Sequence, residues 1–127
     1  MRTTIFLVGA GLALLATAAS ASNWTPIGRT QSGLLEYETA TTKYRGSNVV
    51  VWYRVTYDQP QSAPIGKYDR EVVRVDIDCA NDTAVFLAET FLLRGEAIFS
   101  PGVQTPAGQI GPDSLIHYVE QAACKSQ

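Results

Sequence analysis

Residues 73 to 85 read VRVDIDCANDTAV, and the spacing within them decides the fold. Val73, Val75, Ile77 and Cys79 fall at alternate positions, with Arg74, Asp76 and Asp78 between them. Neighbouring residues of a β-strand point to opposite sides, so the stretch makes a strand with an apolar side that carries the cysteine and a charged side that carries the aspartates. Asn81-Asp82-Thr83 then ends it in a turn. The alternation turns Cys79 away from Asp76 and Asp78, which argues against a cysteine nucleophile with acidic helpers. A calcium loop over 76 to 87 also fails, because Asn81 stands where the loop needs glycine and Leu87 where it needs glutamate. A looser calcium site from Asp78, Asn81 and Asp82 is a minor alternative.

The same two-residue period extends outward from this strand. Downstream, AVFLAETFLL (84–93) follows a turn and precedes Arg94-Gly95-Glu96, as a strand of a further hairpin does. Upstream, the long strand 68–79 is preceded by DQPQSAPIG (58–66), whose two prolines and glycine predict a surface loop. VVVWYRVTY (49–57) and TTKYR (41–45) flank a tight turn at Gly46-Ser47-Asn48, and WTPIGRT (24–30) with GLLEYE (33–38) forms a first hairpin. SPGVQTPAGQIG (100–111) is too rich in Pro and Gly for regular structure, and a loop of that length is a candidate functional segment. PDSLIHYVEQAAC (112–124) predicts the one helix, with Asp113 or Ser114 as its cap and Leu115, Ile116, Val119 and Ala123 as its apolar face. At about 100° per residue, Cys124 lies roughly a quarter turn from the centre of that face, so the last turn is expected to unwind or dock sideways. The fold class is α+β, mainly β, with an antiparallel sheet and one C-terminal helix packed on it.

The chain opens with Met1-Arg2, an apolar run from Ile5 to Ala16 and then Ala19-Ser20-Ala21, the pattern of a secretory signal peptide cleaved before Ser22. The run is well short of the ~20 residues that span a bilayer, and no second one follows, so no membrane span is expected. Residues 22–127 are expected to form a single domain. Loss of Arg2 takes the net charge from −2 to about −3, and Arg70 and Arg74 alternate with Asp69, Glu71 and Asp76, a mixed pattern that suits a solvated face and not a nucleic-acid surface.

In an exported chain, two cysteines with none left over most simply form one disulfide, Cys79 to Cys124. That leaves one histidine, His117, which is too few ligands for a zinc site, and no G-x-S-x-G elbow for a serine hydrolase. Asp113, Ser114 and His117 are better read as helix cap and helix surface than as a triad. Glu36 and Glu38 share one side of their strand and read as an exposed face. No catalytic residue, metal site or cofactor is predicted. Among the aromatics, Tyr53 and Tyr57 share a strand side with Val49, Val51 and Val55, whereas Trp52 faces the other way beside Arg54. A single sheet with one helix leaves an apolar second face, which a homodimer or a protein ligand would cover. Trp52, Tyr53, Tyr57 and Arg74 are the candidate binding residues.

Trp24 with Ile27, the VWYRVTY strand, Pro60, Tyr68, the DIDC strand end, Gly95-Glu96, and PDS ten residues before the final cysteine together resemble the surface-adhesin protein E family. The resemblance implies an exported protein of a Gram-negative bacterium, periplasmic or at the cell surface. It also implies a six-stranded antiparallel sheet with a C-terminal helix tied by a disulfide, and a non-enzymatic role in binding extracellular-matrix or envelope proteins. ANDTA follows the cysteine where relatives tend to be rich in arginine, and no lipid-attachment cysteine is present. The alternative reading is a periplasmic binder of haem or another flat apolar molecule on Trp52, Tyr53 and Tyr57. An enzyme would need Asp76, Asp78 or His117 gathered in a cleft.

Overall fold

The computed structural model describes residues 22–102 and 104–125; the expected signal peptide lies outside them. In chain order the elements are β1 (Trp24–Arg29), β2 (Gly33–Glu38), β3 (Lys43–Arg45), β4 (Asn48–Ala63), β5 (Gly66–Asp78), β6 (Thr83–Leu93), β7 (Glu96–Phe99), β8 (Gly108–Gln109) and α1 (Leu115–Lys125). Six strands lie side by side in the order β1-β2-β4-β5-β6-β7, with β3 added to β4 and β8 to β6. Every pairing is antiparallel. The expected α+β architecture, an antiparallel sheet carrying a C-terminal helix, is the one observed.

The alternation in β4 and β5 builds the core. Val49 pairs with Ile77 and Val51 with Val75, which places these residues in rows on one face, here called inner. Leu35, Val49, Val51, Val55, Val73, Val75 and Ile77 are all buried, together with Ala84 of β6 and Val119 and Ala123 of α1. Burial of each such aliphatic side chain is worth about 1.5–3 kcal/mol relative to exposure. At Gly33 the strands approach so closely that a Cβ would lie 2.3 Å from the Thr56 carbonyl oxygen, so only glycine fits there. Arg94 and Gly95, with φ of 51° and 82°, make the two-residue turn between β6 and β7, the left-handed pair that suits a tight hairpin.

Residues 58–66 depart from the predicted loop. β4 continues through Ala63, and Gln61, Ser62 and Ala63 pair with Tyr68, Lys67 and Gly66, leaving Pro64-Ile65 as the turn. The pairing register shifts between Thr56 and Gln61, and Pro60 lies inside that irregular stretch. A bulge requires no ladder amide from its extra residue, so the proline is tolerated there. The 100–111 segment is largely non-repetitive as expected, but Gly108 and Gln109 pair with Ala84 and Thr83.

α1 is helical through Lys125, and the last turn does not unwind. Instead the helix is rotated about its axis. Val119, Glu120 and Ala123 are buried and Ile116 and Cys124 pack against the core, while Leu115 is 37% exposed. The covered stripe is therefore 116–119–120–123–124, one residue further round than the apolar face read from the sequence. The disulfide between Cys79 and Cys124 requires this rotation, because the half-cystine at the end of the helix must face the end of β5. One consequence is that Glu120 is drawn into the buried stripe, where its Oε2 has no hydrogen-bond partner among the described residues. Burial first, and then the neighbouring Asp82, push its carboxyl pKa up. Ser114 is the N-cap: its hydroxyl accepts from the His117 amide at 3.3 Å and donates to the Gly111 carbonyl at 2.7 Å, while Asp113 sits at a φ of 61°.

Candidate functional site

The four candidate binding residues divide between the two faces. Trp52 and Arg74 are direct cross-strand neighbours on the outer face, half-buried. Tyr53 and Tyr57 lie on the inner face, where Tyr53 is 6% exposed and belongs to the core.

On the outer face, Arg54 is the centre of a built group. Its guanidinium lies 4.2 Å from the centre of the Trp24 ring, a cation–π contact, and its Nε donates to Glu36 Oε1 at 2.9 Å. This covering buries Glu36, contrary to the exposed face expected of it. Glu38 is buried for a different reason. Its carboxylate accepts from the amides of Asn23, Ala40 and Thr41 and from the Thr41 hydroxyl, so the chain between β2 and β3 folds around it. Burial pushes the Glu38 pKa up, but the Thr41 hydroxyl and the three amides outweigh it and hold the pKa at about 2. α1, Pro101 and Thr105 lie over the inner face, so Trp24, Trp52, Arg54 and Arg74 are left on the side that they do not cover.

The remaining chemical candidates are dispersed. Asp78 accepts from Ser47, from the Ala80 and Asn81 amides and from the Asn81 side chain, so it caps its own turn. The Asn81 side chain lowers its pKa first of all. Asp76 accepts from Asn48 at 3.1 Å. His117 is on the helix, on the other side of the sheet, with Nδ1 3.9 Å from Glu120 Oε1. Among the described residues, no group of three or more His, Cys, Asp or Glu side chains could hold a metal ion.

The inner face beyond the helix joins Tyr53 and Tyr57 to residues not singled out from the sequence. Tyr57 donates to Glu71 Oε2 at 3.1 Å. Glu71 was grouped with the solvated charges of its strand, but it has the same parity as Val73 and points inward. Burial, then a carboxyl–carboxyl hydrogen bond and charge repulsion with Glu89, raise its pKa to about 7 against the opposing Tyr57 contact. Burial and the charges of Glu71 and Glu89 likewise raise Tyr53 and Tyr57. Edge-to-face contacts then link Tyr57 to Tyr68 and Tyr68 to Phe91, which stacks on Phe99. The inward aim of Glu71 was readable from the alternation. That of Glu89 was hidden by a register shift between Arg74 and Val75 opposite Leu87.

The family profile of surface-adhesin protein E matches residues 24–125. The chain belongs to the surface-adhesin protein E family. Three solved structures of Haemophilus influenzae protein E share its fold. One covers 72% of this chain and 77% of its own at 14% identity with a TM-score of 0.53. A second crystal form gives 72% and 80%, 14% and 0.54. The selenomethionine form gives 72% and 78%, 15% and 0.53. A search of curated protein sequences returned no match. Membership of an adhesin E family points to an exported or surface protein that binds other proteins. No helix among the described residues is long and apolar enough to cross a membrane.

Proposed function

We propose that the protein is an exported, non-enzymatic binding domain of the adhesin E type that captures an extracellular-matrix or envelope protein on its outer sheet face. The observation that carries this reading is the uncovered side of β1, β2, β4 and β5, where Trp52 lies beside Arg74 and the Trp24–Arg54 stack adjoins them. Tryptophan and arginine are the side chains that most often dominate protein interfaces, and a sheet face already held rigid by its core presents them at little entropic cost.

The flat-ligand alternative is less well supported, because Trp52 is on the opposite side of the sheet from Tyr53 and Tyr57 and the three do not form one platform.

Purified extracellular-matrix and envelope proteins, immobilised and probed with the purified domain, test the reading. The double variant Trp52→Ala with Arg74→Glu is expected to bind at least tenfold more weakly to whichever of them the native protein captures, while still melting in a single cooperative transition. Undiminished capture by that variant would move the contact surface elsewhere. Sedimentation of both proteins separates partner capture from a homodimer formed through the same face.

A further inference from the structure

The inner face divides into two parts. α1 covers the part over β1, β2 and the start of β4. Beyond it, the register Tyr53–Val73–Glu89 puts one residue from each of β4, β5 and β6 in a single row. Pro101 and Thr105 stand beside this row, and Thr105 is tied to Phe86 in both directions: its hydroxyl accepts from the Phe86 amide at 3.0 Å and its amide donates to the Phe86 carbonyl at 3.1 Å. A cavity of about 420 Å³ remains among Tyr53, Glu71, Val73, Phe86 and Glu89. That is within the roughly 300–1,000 Å³ usual for small-ligand sites.

Two independent features point to a ligand. First, the carboxyl groups of Glu71 and Glu89 both line this half-apolar cavity, and no cationic side chain is among the residues lining it. Second, Tyr53 is 94% buried, since 6% of it is exposed, and it lines the cavity, yet its hydroxyl has no hydrogen-bond partner among the described residues. A phenol on so covered a residue ordinarily has such a partner, and here the cavity is the side from which one can reach the hydroxyl.

We propose that this cavity is a binding site for an organic primary ammonium group, held by the carboxylates of Glu71 and Glu89 and the hydroxyl of Tyr53, with its alkyl chain against Val73 and Phe86. A metal ion fits less well. Calcium takes about six to eight oxygen ligands, whereas this cavity sets two carboxyl groups and a phenol beside the apolar side chains of Val73 and Phe86. The ionisable groups facing the site are Tyr53 and Tyr57 from β4, Glu71 and Tyr68 from β5, and Glu89 from β6; residues 100–107 bring none. Glu71, whose carboxyl is raised to about 7 by burial and by Glu89, gives up its proton as the cation enters, so binding near pH 7 releases a proton. The site is independent of the outer face, and variants at Trp52 and Arg74 leave it intact.

Titration calorimetry of the purified protein with n-hexylammonium chloride tests the proposal, with n-hexanol as the neutral isostere and calcium chloride as the metal. Saturable binding of hexylammonium is expected, with no saturable heat from hexanol and a buffer-dependent heat at pH 7 that reports the released proton. Glu89→Gln and Glu71→Gln are each expected to weaken binding at least tenfold, and Tyr53→Phe at least threefold. If Tyr53→Phe fails to fold, the glutamine variants and the hexanol control decide. Hexanol binding as tightly as hexylammonium, calcium binding in its place, unchanged affinity in both glutamine variants, or no saturable heat would each overturn the proposal. A parallel titration with Nα-acetyl-lysine methylamide separates the sources: binding as tight as hexylammonium identifies a lysine side chain of a peptide, and binding of hexylammonium alone identifies a free amine.

Discussion

The inner face of the sheet carries Val49, Val51, Val73, Val75 and Ile77, and the outer face of the same strands carries Trp52, Arg54, Arg74 and Asp76. The inner row is closed off by a helix and a disulfide, whereas the outer row is held by an arginine lying on a tryptophan and by single hydrogen bonds. Apolar burial is therefore concentrated on one side and partly exposed aromatic and charged side chains on the other. The inner face repeats the contrast along its own length, since the part under α1 is aliphatic and the part beyond it holds Glu71, Glu89 and two tyrosines.

Breaking the staple should produce the largest effect. Cys79 and Cys124 are 45 residues apart, and loop-closure entropy assigns a cross-link of that span about 4 kcal/mol. Cys79→Ser or Cys124→Ser should lower the free energy of urea unfolding by that order, and an unchanged midpoint would show that the helix docks without it. Next comes the core row itself. Ile77→Ala empties a fully buried site and should destabilise by about 2–4 kcal/mol, whereas Trp52→Ala on the outer face should stay within about 1 kcal/mol in the same titration. Equal losses at the two positions would dissolve the distinction between the faces.

Glu38 sharpens the comparison, because it is an outer-face residue with a buried, structural role. Glu38→Gln should cost about 1–3 kcal/mol at pH 7 through weakened hydrogen bonds to Asn23, Ala40 and Thr41. Its folded pKa of about 2 lies below the ordinary 4.5, so its contribution is complete above about pH 4.5 and is lost as the pH falls toward 2. Acid unfolding of the native protein should be steepest in that window, and Glu38→Gln should flatten it. Glu71 has the opposite sign and the smallest effect. Its folded pKa of about 7 lies above the ordinary 4.5, so the folded state holds the proton more tightly, and stability declines as the pH rises from about 4.5 to 7. Glu71→Gln should remove that decline and leave the protein slightly more stable than the native form at pH 8, as thermal melts at several pH values would show.

The strands whose alternation is uninterrupted were legible from the sequence: 73–79 was assigned the correct face residue by residue, and 84–93 was correctly placed as a strand. Residues 58–66 pair although their prolines read as strand breakers, because a bulge places Pro60 where no amide is needed and Pro64 falls in the turn. Glu36 and Glu38 were read as exposed because parity says which side a residue faces and not what later covers that side. Trp24 and Arg54 cover one of them, and residues 39–41 wrap the other. Of the inner carboxylates, Glu71 was within reach of parity alone, but Glu89 required knowledge of the bulge at Leu87, a property of the paired strands.

By itself, the sequence determined the antiparallel sheet, the C-terminal helix and the pairing of its two cysteines, because side-chain alternation, turn residues and helix caps act within a few residues of one another. Only the tertiary structure decided the rotation of α1, the burial of Glu36, Glu38 and Glu120, and the meeting of Tyr53, Glu71 and Glu89. Each of these depends on which distant segment closes over a face, and local spacing does not encode that choice.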